Sequence, residues 1–244
     1  MPKLIARDVN LVFPLYGQAV ETAGDEANDP RLLRRGGKIV GVKALEDISL
    51  SLNAGDKLAV IGRNGSGKTS LLRVLAGLLP PDRGEVVVEG HATNLININL
   101  GLRPQASGHR NITLLGLAAG RTREQIEAVR PDIVAFSELG SFIGMPVSGY
   151  SAGMRTRLSF AIATAFEPGV LILDEWLSTG DASFRQKASD RMQGFVANAG
   201  ILVLASHGRP LLEQNCNLGL WMRHGRIERF GPVSEVLDGY EASL

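Results

Sequence analysis

The stretch from Lys57 to Leu79, KLAVIGRNGSGKTSLLRVLAGLL, constrains the fold more than any other part of the chain. KLAVIG is a short apolar run, the pattern of a strand buried on both faces. A glycine-rich turn follows, then the helical pattern KTSLLRVLAGLL, which PPDRG stops. A strand that must hide both faces, tied by a tight turn to a helix, belongs inside an α/β sheet. The turn, GRNGSGKT from Gly62 to Thr69, fits G-x-x-x-x-G-K-[ST] in the strand–turn–helix context that this pattern requires. Gly62, Gly65 and Gly67 let the backbone curl until successive N–H groups converge on an anion, and the positive end of the helix adds to that field. Lys68 reaches the β- and γ-phosphates of a nucleotide, and Thr69 places its hydroxyl on Mg²⁺. Arg63, Asn64, Ser66 and Ser70 complete the expected phosphate loop.

Such a loop needs a carboxylate to hold the metal, at the end of a neighbouring buried strand. VLILDE supplies Asp174 after a run of apolar residues, and Glu175 beside it is placed to polarise an attacking water. ILVLASH brings His207 to the end of a further apolar strand, where a γ-phosphate contact is within reach. Around these elements, KLIARDVNLVF and ALEDISLSL alternate polar and apolar residues as strands do, and EVVVEG, LGLWM and RIERFG read as strands too. Between Gly17 and Gly41 the character shifts to Gly, Asp, Asn and Pro followed by RLLRR, the composition of a solvated loop or inserted arm. From about Leu100 to Phe166 the pattern is mostly helical, with breaks expected at Pro104, Pro131, Gly144 and Pro146. Strand-rich flanks around a helical middle imply an α/β core carrying a helical insertion.

The remaining features mainly exclude. With 26 basic and 25 acidic side chains, the chain lacks the strongly basic footprint of a dedicated nucleic-acid binder. A lone Cys216 rules out an internal disulfide framework or cysteine metal cluster and suits a reduced, cytosolic compartment. No apolar run approaches the roughly 20 residues that span a bilayer, and MPKLIARDVN lacks the layout of a secretory signal. Work at a membrane would therefore go through another protein.

One further stretch, GYSAGMRTRLSF from Gly149 to Phe160, carries no nucleophile or metal ligand of its own. Ser151 is of the N-cap type, and Met154, Leu158, Ile162, Ala165 and Phe166 form the apolar face of the helix it opens. Either Ser151 only caps a packed helix, or this N-terminus is a second anion site. In the second case each nucleotide is held between two molecules, the phosphate loop of one chain facing Ser151 of the other in a twofold dimer.

GRNGSGKT, YSAGM, VLILDE, the Asp181 of STGD and the final ASH, in this order and spacing, resemble an ATP-binding cassette (ABC) ATPase from about Lys3 to Tyr240. The resemblance implies a P-loop NTPase core, a RecA-like mixed sheet with an N-terminal antiparallel β part and an inserted helical subdomain at about 100–166. It further implies ATP and Mg²⁺ as cofactors, held by Thr69 and Asp174 on the metal side. Ser151, Ala152 and Gly153 would contact the γ-phosphate bound by the partner subunit, and Asp181 would lie in the loop linking the two active sites. The aromatic that stacks on adenine falls in LVFPLYG, with Phe13 the first choice and Tyr16 the second.

Details narrow the likeness further. DEWLSTGDASFRQKASDRM and YSAGMRTRLSFAIA replace the Pro-Thr and the Leu usual in the family, and both look like the ATPase subunits that export lipid-linked polysaccharides such as O-antigen, capsule, teichoic acid or galactan. NLININLGLRPQASGHRNI, SHGRPLLEQNCNLGLWMRHGRIERFGP and Tyr240 agree. The implied partners are a second copy of the chain on ATP binding and an integral membrane permease, with the ATPase at the cytoplasmic face of the membrane and 1–244 forming one nucleotide-binding domain. A C-terminal carbohydrate-recognition domain, found in some relatives, has no room after Tyr240. An exporter of drugs or lipids and a soluble, non-transport cassette ATPase are the alternatives. One departure stands out: the family's γ-phosphate-sensing Gln falls near Ile98, which cannot bind Mg²⁺, leaving Asn97, Asn99 or Gln105 as candidates.

Overall fold

The computed structural model describes residues 1–15, 29–36, 38–90, 92–94, 101–174 and 182–244. These divide into two compact units. The first comprises Met1–Gly90, residues 172–174 and Gly200–Leu244; the second, the described residues of 92–171 and 182–199.

The first unit holds two sheets. In one, β1 (Lys3–Pro14), β2 (Leu32–Arg35), β3 (Lys38–Asn53) and β5 (Arg83–Glu89) run in the order β2–β3–β1–β5, antiparallel throughout. Alternating side chains of β1 and β3 turn Leu4, Val9, Ile48 and Leu52 inward, and all four are fully buried. In the other, β4 (Lys57–Ile61), β8 (Ile201–Ala205), β9 (Leu218–Arg223) and β10 (Arg226–Pro232) join residues 172–174 of β7 (Val170–Asp174), in the order β10–β9–β4–β8–β7. β4 is parallel to both β8 and β9, while β10 returns antiparallel along β9. Leu58, Ala59, Val60 and Ile201 through Leu204 have no exposed surface, as strands covered on both faces require. Each large side chain so hidden contributes roughly 1.5–3 kcal/mol relative to exposure.

α1 (Lys68–Leu75) buries Leu71, Leu72, Val74 and Leu75. It ends earlier than PPDRG suggests, because Gly77 takes a left-handed φ of 69° and its N–H and that of Leu78 close back on Val74 O and Arg73 O. β2 and the first part of β3 lie within the segment expected to be a solvated connection: Leu32 pairs with Val42 and Arg35 with Lys38, so this part of the arm is sheet. α6 (Arg209–Asn215) and α7 (Val233–Glu241), which no pattern had marked, complete the unit. Arg209 ties them together through Glu213, Asp238 and Glu241.

The second unit contains the short β6 (Ala92–Asn94), α2 (Gly108–Ala118), α3 (Arg123–Ser137), α4 (Ala152–Ala163) and α5 (Ala182–Ala197), with two single 3₁₀ turns at Gly140–Gly144 and Val147–Gly149. Pro131 does not break its helix; α3 runs through it. The site is exposed, so the carbonyl deprived of its donor can turn to water. A reciprocal cap between Thr122 and Gln125 starts the same helix. α4 is not one-sided as expected: Leu158, Ser159, Phe160, Ala161 and Ile162 are all buried, and Ala165 and Phe166 lie beyond its end. Phe136, Phe160 and Phe184 form the aromatic centre of this unit, with ring centroids 5.4 to 6.2 Å apart. Arg191 lies 4.3 Å from the Phe136 ring centroid while pairing with Asp132.

Candidate functional site

The phosphate loop leaves β4 and enters α1 through three glycines of positive φ, and at two of them a side chain would collide with backbone. A Cβ on Gly62, at φ 148°, would lie 2.4 Å from Met222 O. On Gly67, at φ 105°, it would lie 2.7 Å from Ala44 O. The backbone is thus pressed against β9 on one side and β3 on the other. A buttress holds it there: Gly225, in the β9–β10 turn, donates to Ser66 O at 3.0 Å, and Gly225 O accepts from Glu46 N at 2.9 Å. The Glu46 carboxylate in turn holds Arg226 and Lys43, and those hydrogen bonds, Arg226 foremost, lower its pKa to about 2.

Above the loop lies a cavity of about 390 Å³. Asn64, Gly65, Gly67, Lys68, Thr69 and Ser70 line it from the loop side. Asp174, at the end of β7, and His207, just past β8, line it as well. Phe13 does so too, with 42% of its surface exposed, at the far end of β1, opposite Val42 of β3. Side chains separated by almost the whole chain therefore converge on one concavity. Lys68 Nζ donates to Gly62 O at 2.7 Å and Arg63 O at 3.2 Å, which lays its ammonium along the loop. Gly67, the N-cap of α1, has no side chain to occupy the first helical N–H groups.

Three expected loop residues do not line this cavity. Gly62 is not part of its lining, Ser66 is buried with its hydroxyl unpartnered among the described residues, and Arg63 and Ser66 line a second cavity of about 280 Å³. Besides Ala205 and Ser206, which precede His207, Val42, Ala44 and Arg31 line it without having been singled out from sequence. Val42 and Ala44 follow from the register of β3 beside Phe13. Arg31 stood within a charge run expected to be solvated, and no local pattern marks it.

Ser151, Ala152 and Gly153 belong to the second unit, all exposed at the start of α4. Ser151 is the N-cap, its hydroxyl accepting from Met154 N at 3.2 Å. The preceding Tyr150 is buried and donates its hydroxyl to Phe142 O at 2.7 Å, which anchors the entry to the helix; burial raises its pKa. Asn111, completely buried, accepts from Arg103 N and donates to the carbonyls of Arg103, Ala106 and Ser107, tying the loop before α2 into one conformation. Gln105 is exposed in that loop. Glu175, Asp181, Tyr16, Asn97 and Asn99 lie outside the described residues. No helix among the described residues is long and apolar enough to cross a membrane.

Comparison with known proteins agrees with this geometry. Residues 45–178 match the family model described as ABC transporter. The O-antigen export system ATP-binding protein RfbE of Yersinia enterocolitica is 38% identical over 93% of this chain and 97% of its own length. The teichoic acids export ATP-binding protein TagH of Listeria monocytogenes is 38% identical over 81% of this chain, and the O-antigen export system ATP-binding protein RfbB of Myxococcus xanthus is 38% identical over 83%. Those two are longer proteins, of which the matched region makes up 59% and 46%. Among solved structures, an ATP-binding subunit of an ABC transporter superposes with a TM-score of 0.69 over 98% of this chain and 93% of its own, at 20% identity. An ATP-binding cassette solved as a post-hydrolysis dimer with ADP and Pi gives 0.65 over 94% of this chain and 98% of its own, at 17% identity. At such identities these two likenesses concern the fold.

Proposed function

The chain belongs to the ABC transporter family of ATP-binding proteins, and on that premise we propose that it is the ATP-hydrolysing subunit of an exporter of lipid-linked polysaccharide. The observation that carries the chemistry is the single cavity in which Phe13, the phosphate loop, Asp174 and His207 meet. An aromatic ring, a cation, a hydroxyl and a carboxylate lining one cavity suit the base and the metal-bound polyphosphate of a nucleoside triphosphate. The O-antigen and teichoic acid export roles of the relatives named above support the choice of substrate class.

Asp174 and Thr69 are hard oxygen donors lining the same cavity, and this pairing fits Mg²⁺. When bound, the ion would neutralise charge on the β- and γ-phosphate oxygens. The loop N–H groups and Lys68 hold the phosphates in line, and Phe13 stacks on the base. His207 steadies the γ-phosphate. Glu175 orients a water whose oxygen bonds to the γ-phosphorus as the bond to the β–γ bridging oxygen breaks, releasing ADP and phosphate. Catalysis of this kind depends mainly on positioning and charge neutralisation.

Two copies close around two nucleotides, each held by the phosphate loop of one chain and Ser151, Ala152 and Gly153 of the other, with Asp181 linking the two sites. Hydrolysis removes the γ-phosphate that bridges them, and they reopen. The region around residues 98–112 passes that motion to a membrane permease, which holds the ATPase at the cytoplasmic face of the membrane. Residues 1–244 act together as one nucleotide-binding domain. Glu175→Gln tests the core of this reading: ATP should still drive dimerisation, measured by light scattering, while phosphate release falls at least about hundredfold. Hydrolysis at the wild-type rate in that variant would remove Glu175 from its role.

A further inference from the structure

Arg31 stands on a wall common to two cavities. It lines the 390 Å³ cavity with Lys68 and Phe13, and also the 280 Å³ cavity lined by Arg63, Trp221 and Arg223. Its placement is specific. The Arg31 carbonyl accepts from Lys43 N of β3 at 2.8 Å, and Asp29 O accepts from Leu32 N at 3.1 Å, so the turn leading into β2 is docked on the sheet. The Asp29 carboxylate accepts from Arg31 N at 2.9 Å, from its Nε at 2.9 Å and 3.1 Å, and from Nη2. Nη1 donates to Gly65 O, a carbonyl of the phosphate loop itself.

This is a guanidinium fixed in both position and plane. Its side chain is 25% exposed and that of Asp29 23%. The Arg31 hydrogen bond, ahead of all other influences, lowers the Asp29 carboxyl to about 2, so the clamp stays ionised at any ordinary pH. A forked arginine–carboxylate pair of this kind is directional as well as strong. Because the pair is neutral in sum, its long-range pull on an anion is small. What it offers is oriented donors. A guanidinium has five N–H groups; one each on Nε, Nη1 and Nη2 is engaged here, and the second on each Nη has no partner among the described residues. The bond to Gly65 keeps these donors at the phosphate loop.

We propose that Arg31 is a further nucleotide-binding residue, held at the phosphate loop by the turn leading into β2 and aimed by Asp29, where it latches Gly65 and donates to the polyphosphate of ATP. This rests on the reading that the larger cavity binds ATP. The turn at residues 29–31 is then part of the nucleotide site and not a solvated connection.

The test compares full-length wild type with Arg31→Ala, Arg31→Lys, Asp29→Asn and, as a control, Lys68→Ala. Calorimetry measures ATP binding and ligand-observed NMR measures adenosine binding. Arg31→Ala should weaken ATP by roughly ten- to a hundredfold, the range of a lost charged hydrogen bond, and leave adenosine within about twofold. Arg31→Lys restores the charge without the fork and should remain several-fold weaker than wild type. Asp29→Asn should fall between. If Arg31→Ala does not fold, Arg31→Gln, which can still donate to Gly65 O, decides the same point. Unchanged ATP affinity in Arg31→Ala beside its loss in Lys68→Ala overturns the proposal and leaves the function intact. Equal weakening of ATP and adenosine reduces Arg31 to a brace and overturns it as well. A wild type that does not bind ATP would end both readings.

Discussion

Two helices of this protein begin with the features of an anion site, and they begin differently. α1 starts after Gly67, which has no side chain to cap the first N–H groups, and its first residues Lys68, Thr69 and Ser70 line a cavity that Asp174 and His207 line too. α4 starts after Ser151, whose hydroxyl already accepts the Met154 N–H, and Ser151, Ala152 and Gly153 are exposed. A helix N-terminus open to water holds an anion by only about 0.3–1 kcal/mol, whereas one in a partly buried site holds it by up to about 2 kcal/mol. The first start therefore forms a binding site with its own neighbours. The second becomes one only if something else covers it, which is the physical ground for assigning its role to a dimer.

Ser151→Arg should break the comparison most sharply. If α4 serves the partner's nucleotide, ATP binding to the monomer stays at wild-type affinity while the steady-state hydrolysis rate falls roughly 10²- to 10³-fold, as when a transition-state donor is lost. Full hydrolysis would make Ser151 a cap and nothing more. Gly62→Ala attacks the other start: the new Cβ must displace Met222 O or the loop, at a cost of about 1–3 kcal/mol. A ten- to hundredfold weaker ATP affinity is expected by calorimetry, together with a lower melting temperature. Equal affinity would mean that the loop tolerates a shift the packing does not suggest.

The smallest effect concerns the buttress beneath the loop. Glu46 titrates at about 2 when folded, below the ordinary carboxylate range, so its stabilisation is fully present above about pH 4.3 and is lost as pH falls through about 2. Glu46→Gln should flatten the acid limb of a melting-temperature profile between those limits. Because Arg226 is 61% exposed, the change should stay below about 1 kcal/mol. A steeper acid limb in the variant would reverse the sign of the argument.

Much of the fold was legible because its signals are local. KLAVIG, VLILDE and ILVLAS became β4, β7 and β8, since an apolar run of that length between turns has few other ways to avoid water. Ser151 became an N-cap for an equally local reason. Errors arose where a local signal competed with surroundings. Pro131 costs α3 a hydrogen bond and crowds the preceding turn, yet at an exposed position the freed carbonyl can turn to water and the packing of α3 outweighs the signal. The one-sided pattern assigned to α4 assumed a solvated face, but Phe160 and its neighbours are covered all round.

The site divides in the same way. Gly62 to Ser70, Asp174 and His207 were found in the sequence because turn geometry and strand ends restrict residue type over a few positions, and Phe13 because its motif has a family counterpart. That Phe13, Asn64, Gly65, Lys68, Thr69, Asp174 and His207 share one cavity was decided by the tertiary structure, in which β4 lies beside β8 and Phe13 near the end of β1 lines the same cavity as the loop. Arg31 belongs wholly to the tertiary structure. In RLLRR it is one cation among three, and only the pairing of β2 with β3 and the fork to Asp29 turn this one toward Gly65. Local chemistry is written along the chain over a few residues, whereas a contact spanning thirty-four positions exists only once the sheet has formed.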